Sequence, residues 1–286
     1  MTKFTYDLRR PDARTTSVVF ASPHSGRDYP WTFVRKSILD EREIRSSEDA
    51  YVDRVFDRAP SFGAPFLVAG APRAYVDLNR AADELDPAVV MDVRRATHNP
   101  RIASGLGVIP RVVANGRAIY RGKLKLDEAH YRISTYWRPY HDALQFLLDQ
   151  SRNLFGQAIL IDCHSMPHEA LDNGVPQSQP RPDVVLGDRF GAAASPEIVD
   201  RVEAAFVAVG LNVARNMPFA GAYITQHYGR PTKNQHAVQV EIDRSLYMNE
   251  QTIRPNANFE TFRAQMQSVM AEIVQIGQNG IKVAAE

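Results

Sequence analysis

Two short apolar segments that each lead into a histidine constrain the fold of this chain most. The segment SVVFASPHSG, residues 17–26, begins with β-branched and aromatic residues and ends at Pro and Gly, a pattern typical of a buried strand followed by a loop. The segment QAILIDCHSMP, residues 157–167, has the same form. Each predicted strand therefore carries a histidine, His24 or His164, at its C-terminal end.

Helical and extended patterns alternate along the rest of the chain. Residues 46–60 predict a helix with an acidic first turn, and residues 65–80 predict a strand, a turn and a second extended piece. Residues 126–151 and 195–210 have helical spacing, whereas residues 236–248 alternate as a strand with one polar face does. This alternation predicts an α/β fold with a mostly parallel sheet. Because no repeat or linker interrupts it, we interpret residues 1–286 as a single domain.

Charge and hydropathy exclude several classes of protein. The chain has 34 Lys and Arg against 33 Asp and Glu, so a net charge of +1 gives no field that would attract nucleic acid. No apolar run reaches the roughly 18 residues of a membrane span, and the N-terminus lacks a signal-peptide pattern. We therefore predict a cytoplasmic protein that binds neither nucleic acid nor membranes. The sequence carries no signal for an oligomeric state.

The two histidines suggest a metal site. In α/β sheets, ligands bind outside the carboxyl ends of the strands, where His24 and His164 are expected. Catalytic zinc commonly has three protein ligands from His and acidic residues and keeps a position for water. Asp49 or Glu48 would complete such a set, and another divalent metal would also suit these ligands. The alternative is that each histidine is an ordinary hydrogen-bonded loop residue.

Two acidic residues near the predicted strand ends have open roles. Asp162 precedes His164 by two residues, so both side chains lie on the same side of an extended chain. It would either orient an imidazole or cap the strand. Glu241 either lies on a solvated strand face or points into a site, where it would transfer protons. Cys163 points to the opposite face from His164 and is a poor nucleophile candidate.

Other polar residues are candidates for binding a substrate. Arg73, Asn79 and Arg80 are suited to carboxylates, because Arg offers a planar fork of donors and Asn adds a further donor. The segment HYGRP, residues 227–231, either polarises a carbonyl or forms a plain turn.

Several motifs, read in this order, make the chain similar to a known family. They are PHSG, SEDAYVDRVF, RAYVDLNR, GLGVIP, YWRPYH, DCHS, AGAYITQHYG and HAVQVEI. Over roughly residues 17–250 the chain resembles the N-formylglutamate amidohydrolase family. The resemblance implies a three-layer fold of the zinc carboxypeptidase-like group, with a mixed, mostly parallel sheet flanked by helices.

The resemblance also implies roles for individual residues. The metal ligands would be His24, Asp49 and His164, with Glu48 as a rival to Asp49 because the Thr and Trp that flank the family's acid are absent here. Glu241 would be the general acid and base. The substrate-binding residues would be Arg73, Asn79, Arg80, Tyr223 and His227.

The expected activity is zinc-dependent hydrolysis of an N-formyl or short N-acyl amino acid. By resemblance the substrate is N-formylglutamate, which gives glutamate and formate, in amino-acid catabolism and histidine degradation. The alternatives are a carboxypeptidase-like or aminoacylase-like hydrolase and a non-catalytic ligand-binding relative. Residues 86–104 and 167–183 depart from the family's histidine-pathway members and leave the N-acyl amino acid open.

Overall fold

The computed structural model describes residues 4–93, 99–172 and 181–278. Nine strands lie within these residues. They are β1 (Tyr6–Arg9), β2 (Val18–Ser22), β3 (Phe66–Ala69), β4 (Ala158–Met166), β5 (Val184–Gly187), β6 (Val213–Arg215), β7 (Gln235–Asp243), β8 (Met248–Asn249) and β9 (Arg254–Pro255).

The helices of the described residues include several single turns. The α-helices are α1 (Trp31–Lys36), α2 (Val52–Val55), α3 (Pro100–Ala103), α4 (Leu126–Arg132), α5 (Arg138–Phe155), α6 (Pro196–Val207), α7 (Tyr223–Tyr228) and α8 (Phe259–Ile276). A π-helical segment, Ile133–Trp137, joins α4 to α5. Short 3₁₀ turns lie at Glu43–Arg45, Ala59–Phe62, Ala114–Gly116, His168–Leu171, Pro231–Lys233 and Arg244–Leu246. Among the described residues, no helix has the length and apolarity to cross a membrane.

Seven of the strands form one sheet, in the order β1-β3-β2-β4-β7-β5-β6. β4 pairs in parallel with β2 and with β7, and β5 pairs in parallel with β6. The β5 and β7 pair is antiparallel. The predicted mixed, mostly parallel sheet with flanking helices is therefore confirmed.

Cα packing divides the chain into two compact units of interleaved segments. The first unit consists of Met1–Asp7, Pro23–Ala50 and Val68–Ala143. The second consists of Leu8–Ser22, Tyr51–Leu67 and Leu144–Glu286. The interpretation of residues 1–286 as a single domain stays a prediction.

The core of the second unit is built on β2, β4 and β7. Every residue of these strands is buried, in keeping with interior positions in the sheet. Helix α8 packs against β2, α6 packs against β5 and β6, and α7 packs against β4 and β7. The polar residues of β7 are therefore buried, and the solvated face that its alternation allowed does not exist.

The helix predicted over residues 46–60 is much shorter than expected. Only Val52–Val55 is α-helical, and Tyr51 before it has a left-handed backbone with φ of 68°. Asp49 therefore lies in the turn that precedes the helix. A left-handed residue cannot continue an α-helix, so the acidic pair falls outside it.

The prediction of a second extended piece before residue 80 is also wrong. Residues 71–80 form turns, in which the backbone N–H groups of Tyr75 and Val76 both donate to the Pro72 carbonyl. The Asp77 carboxylate accepts a hydrogen bond of 2.8 Å from the backbone N–H of Asn79. Local bonds of this kind compete with the pairing of a strand.

Other sequence predictions have mixed outcomes. The long helical pattern over residues 126–151 is confirmed by α4, the π-helical segment and α5, and the pattern over residues 195–210 by α6. The divergent segments 86–104 and 167–183 lie in part outside the described residues.

Candidate metal centre

His24 lies in the first unit, two residues after β2 ends. Its buried ring donates a hydrogen bond of 2.7 Å from Nε2 to Asp77 Oδ1. Its Nδ1 lies 3.5 Å from Asp49 Oδ2, and its carbonyl accepts a hydrogen bond of 3.0 Å from the backbone N–H of Asp49. The histidine thus contacts a carboxylate at each ring nitrogen.

Gly26 allows the loop after His24 to pass close to another backbone segment. A Cβ atom at this position would lie 2.1 Å from the carbonyl oxygen of Ala71 and 2.9 Å from that of Ala69. No side chain fits there, which accounts for the glycine of the PHSG motif.

Asp77 is a residue that the sequence did not single out. Besides His24, its buried carboxylate accepts a hydrogen bond of 3.0 Å from Arg73 Nε. Burial raises the pKa of Asp77, but Arg73, His24 and Arg80 together outweigh burial and hold that pKa well below its ordinary value. The carboxylate is therefore ionised and fixes the orientation of the His24 ring, as second carboxylates do for metal-bound histidines. The local sequence indicates only that Asp77 can bind the backbone N–H of Asn79, two residues later.

Glu48 has partners of its own. Its carboxylate accepts hydrogen bonds of 2.9 and 3.1 Å from Arg45 and one of 3.1 Å from the hydroxyl of Tyr29. Burial, followed by the Glu48 charge, raises the pKa of Tyr29 well above its ordinary value, so the hydroxyl stays a donor. The two neighbouring acids, Glu48 and Asp49, thus have different partners.

His164 lies in the second unit, inside β4. Its Nε2 is 3.0 Å from Oδ2 of Asp162, which is fully buried. The spacing of two residues along the strand places both side chains on one face, as the sequence predicted. Between them, Cys163 is buried on the other face, where burial and then the Asp162 charge raise the pKa of its thiol. The thiol is therefore not a nucleophile at neutral pH.

The pairing of β4 with β7 places Glu241 beside His164. These two residues are register partners in the parallel ladder, and so are Asp162 and Gln239. Gln239 Nε2 donates a hydrogen bond of 2.9 Å to Glu241 Oε1, and its Oε1 accepts one of 3.2 Å from the backbone N–H of Ala222. The Gln239 side chain, which the sequence did not single out, thus holds the Glu241 carboxylate on the face that carries His164.

Three buried side chains could hold a metal ion together. His24, Asp49 and His164 each offer one ligand atom, and these atoms all lie within 4.8 Å of one another. Two imidazoles and a carboxylate form a donor set that suits zinc and other divalent transition metals. The residues present therefore fit a catalytic metal.

Arg73, Asn79 and Arg80 lie together in the first unit, around Asp77. Arg80 is 6% exposed and donates from Nε to the carbonyl of Leu106 at 2.8 Å and from Nη1 to the carbonyl of Asn79 at 2.7 Å. Burial lowers the pKa of Arg80, Asp77 opposes this effect, and Arg73 adds to it. The three residues thus form one polar cluster that includes two guanidinium groups.

The π-helical segment and α5 bind the backbone of this cluster through two side chains. Trp137 Nε1 donates a hydrogen bond of 2.8 Å to the carbonyl of Arg80, and His141 Nε2 donates one of 2.9 Å to the carbonyl of Leu78. The rings of Trp137 and His141 pack with their centroids 4.0 Å apart. The YWRPYH motif therefore positions the backbone that carries Asn79 and Arg80.

Tyr223 and His227 lie on α7 in the second unit. Their rings stack with centroids 5.1 Å apart. Burial, followed by the charge of Arg230, lowers the pKa of His227, so its imidazole is neutral at pH 7. The helix begins directly after Ala222, whose N–H contacts Gln239. Tyr223 therefore directly follows Ala222, the residue whose N–H binds the Gln239 side chain that in turn binds Glu241.

Comparison with known proteins gives relatives that match nearly the whole chain. The family model of N-formylglutamate amidohydrolase matches residues 16–248. An N-formylglutamate deformylase from Pseudomonas putida is 30% identical over 90% of this chain and 91% of its own. One from Pseudomonas aeruginosa is 30% identical over 82% of this chain and 83% of its own.

Solved structures agree with the sequence matches. The crystal structure of N-formylglutamate amidohydrolase from Ralstonia eutropha is 33% identical, covers 96% of this chain and 99% of its own, and has a TM-score of 0.90. A gene product from Agrobacterium tumefaciens, 15% identical with a TM-score of 0.65 over 95% of this chain and 94% of its own, shares the fold. The extent of these matches shows that the chain belongs to the N-formylglutamate amidohydrolase family.

Proposed function

We propose that this protein is a zinc-dependent amidohydrolase that converts N-formylglutamate to glutamate and formate. The observation that carries the proposal is the group of His24, Asp49 and His164, whose ligand atoms lie within 4.8 Å of one another in a member of this family. The deformylases among its relatives support this substrate. A cytoplasmic location and a role in histidine degradation stay predictions.

In this proposal His24, Asp49 and His164 are the metal ligands. Nε2 of His24 donates to Asp77 at 2.7 Å, so Nδ1 of His24, which lies 3.5 Å from Asp49 Oδ2, is the proposed nitrogen for the metal. Because Glu48 is held by Arg45 and Tyr29, Asp49 is the better acidic ligand. Zinc is the metal that such ligands favour in hydrolases.

Glu241 is the proposed general base and acid. His24, Asp49 and His164 would hold a zinc ion, which would supply Lewis acidity to the reaction. Glu241 takes a proton from the water that attacks the formyl carbon, and gives it to the nitrogen as the C–N bond breaks. The products are formate and the free amine. Gln239 keeps the carboxylate in place through its hydrogen bond to Oε1.

Arg80, Arg73 and Asn79 are the proposed carboxylate-binding residues. Two guanidinium groups and an amide lie within one cluster, in which Asn79 and Arg80 are buried and Arg73 is partly exposed, and such donors form short, strong bonds to carboxylates. Tyr223 and His227 are further proposed substrate-binding residues, and the neutral imidazole of His227 offers a donor without adding a charge.

Metal analysis combined with a substrate panel tests the activity. The purified protein should contain about one zinc ion per chain, as a catalytic three-ligand site binds, and should hydrolyse N-formylglutamate faster than N-acetylglutamate or a dipeptide. A preference for N-acetyl amino acids or for dipeptides would instead favour an aminoacylase-like or carboxypeptidase-like enzyme. If no metal is bound and added zinc restores no hydrolysis, the proposal is wrong.

Variants test the individual roles. Asp49→Asn should lose the metal, whereas Glu48→Gln should keep it, and the reverse result would make Glu48 the ligand.

Glu241→Gln should retain metal and lower kcat by about 10²- to 10⁴-fold, the usual contribution of a general base. Binding of N-formylglutamate with no turnover in the unmodified protein would show instead a non-catalytic relative.

A further inference from the structure

Arg244 is a buried cation that the proposed mechanism does not use. It follows β7 directly and is 5% exposed, whereas arginine side chains are mostly exposed in proteins. Burial of a guanidinium group is costly unless its N–H groups are bound. The bonds of Arg244 therefore indicate which part of the molecule it stabilises.

Arg244 binds the residue that follows His164 in β4. Its Nε donates a hydrogen bond of 3.1 Å to Ser165 Oγ, and its Nη2 donates one of 3.3 Å to the Ser165 carbonyl oxygen. Ser165 is also buried. One guanidinium group thus binds both the side chain and the backbone of a single residue, and a charged donor forms stronger hydrogen bonds than a neutral one.

These two bonds join the ends of the strands that carry His164 and Glu241. His164 is the register partner of Glu241, and Ser165 is the register partner of Ile242. Arg244, two residues after Ile242, reaches back across the ladder to Ser165. Because the ends of secondary structure elements open more readily than their centres, this link stabilises the part of the ladder in which His164 lies.

A second polar contact joins the same two strand ends closer to the solvent. Asp243 Oδ2 lies 2.6 Å from Nδ1 of His168, which begins the 3₁₀ turn after β4. The His168 side chain is 49% exposed, so water weakens this contact. The bonds of Arg244 are buried, and the loss of a buried bond leaves groups that water cannot satisfy. Arg244 is therefore the stronger of the two links.

We propose that Arg244 is a positioning residue, which holds His164 beside Glu241 through its bonds to Ser165. It acts through the backbone of β4 and not on the substrate. Since side chains alternate between the two faces of a strand, a twist or slip at the end of β4 would turn the His164 ring away from the Glu241 carboxylate. This inference rests on the proposed function, in which His164 is a metal ligand and Glu241 is the base.

Arg244→Gln and Arg14→Gln form a matched pair of variants. Arg14 also donates to a serine hydroxyl and to a backbone carbonyl of the same unit, those of Ser151 and Leu147 in α5. Arg244→Gln should lower the affinity for zinc by about tenfold, as loss of a group that orients a ligand does, whereas Arg14→Gln should leave it unchanged. Arg244→Lys should recover part of the loss. Competition with a chelator measures these affinities.

Histidine NMR signals report the position of His164 without metal or turnover. In protein with ¹⁵N-labelled histidine, the signal of His164 is the one that is missing from His164→Gln. This signal should move in Arg244→Gln and also in Ser165→Ala, which removes the acceptor of Nε and keeps the charge of Arg244. It should stay in place in Arg14→Gln. All variants are compared well below their Tm, so that each is folded.

The outcomes separate this proposal from the proposed function. A moved His164 signal in protein that does not hydrolyse N-formylglutamate supports the positioning role and contradicts only the proposed function. An unmoved signal, or an unchanged affinity in protein that binds zinc, overturns the positioning role even if Tm falls, because Arg244 would then only stabilise the fold. If Arg244→Gln does not fold, Ser165→Ala and Arg244→Lys provide the same comparison.

Discussion

At the scale of single residues, the two histidines of the candidate metal centre share one arrangement. Each has Nε2 close to a buried aspartate, at 2.7 Å for His24 and Asp77 and at 3.0 Å for His164 and Asp162. The hydrogen bond from His24 to Asp77 fixes the tautomer and the ring orientation of His24, and it makes Nδ1 of that ring a better ligand. The proposed ligand geometry of His24 therefore depends on a residue outside the proposed ligand set.

Replacement of Asp77 by Asn should weaken metal binding. The change keeps the shape but removes the charge that His24, Arg73 and the N–H of Asn79 share. Loss of such a partner commonly costs about 10- to 100-fold in metal affinity. Competition with a chelator of known affinity measures the effect.

Asp86→Asn is the matched control for this prediction. Asp86 is also buried, and its carboxylate accepts a hydrogen bond of 2.9 Å from Arg111 instead of from a histidine. The Asp86→Asn variant should be less stable than the unmodified protein but should bind the metal with the same affinity. Equal metal affinities in Asp77→Asn and in the unmodified protein would contradict the role given to Asp77.

At the scale of secondary structure elements, one helical stretch supports the segment that carries the proposed carboxylate-binding residues. The fully buried Arg132 of α4 donates to the carbonyl of Tyr75 at 3.0 Å and lies over the Tyr75 ring at 4.1 Å. Further along, Trp137 and His141 bind the carbonyls of Arg80 and Leu78. A π-helical segment at Ile133–Trp137 shifts the helical register between these contacts, and such segments are frequent at functional sites.

Trp137→Phe should impair substrate binding more than catalysis. The change removes the 2.8 Å hydrogen bond to the Arg80 carbonyl and keeps an aromatic ring against His141. A lost hydrogen bond of about 1 kcal/mol corresponds to a roughly fivefold rise in KM, with kcat within about twofold, because the lost bond positions Arg80 and not the reacting atoms. Steady-state kinetics with N-formylglutamate measures both values.

The second tryptophan is the control for this variant. Trp31 is 66% exposed, and Trp31→Phe should leave KM and kcat unchanged. A fall in kcat alone in Trp137→Phe would argue against positioning of Arg80 and would point to a direct role in the reaction.

At the scale of the whole molecule, bound metal should contribute to stability. A ligand that binds only the folded chain stabilises it by mass action, by about 2.7 kcal/mol at a free concentration of 100 times Kd. For a chain of this size the shift in Tm is on the order of 5 °C. The metal-free protein should therefore unfold earlier, and zinc should restore its Tm in a concentration-dependent manner.

Thermal unfolding of Asp49→Asn is the comparison for this experiment. If Asp49 is a ligand, its variant should show little or no increase in Tm on addition of zinc. An identical Tm with and without metal in the unmodified protein would mean that its metal is absent or bound too weakly to matter.

The sequence by itself determined the alternation of strands and helices, the position of each histidine near a strand end, and the family. Each of these depends on neighbouring residues or on motif order, which are local properties of a chain. The pairing of Asp162 with His164 was also predictable, because residues two apart in a strand share a face.

Only the tertiary structure decided which distant side chains meet. Asp77 contacts His24 across 53 residues of sequence, and it does so from a turn where an extended segment was expected. The proposal of Asp49 rather than Glu48 as a ligand rests on the bonds of Glu48 to Arg45 and Tyr29, and the position of Glu241 depends on the register of β4 with β7. Side-chain direction in turns and strand register are set by packing over the whole chain, which no local pattern encodes.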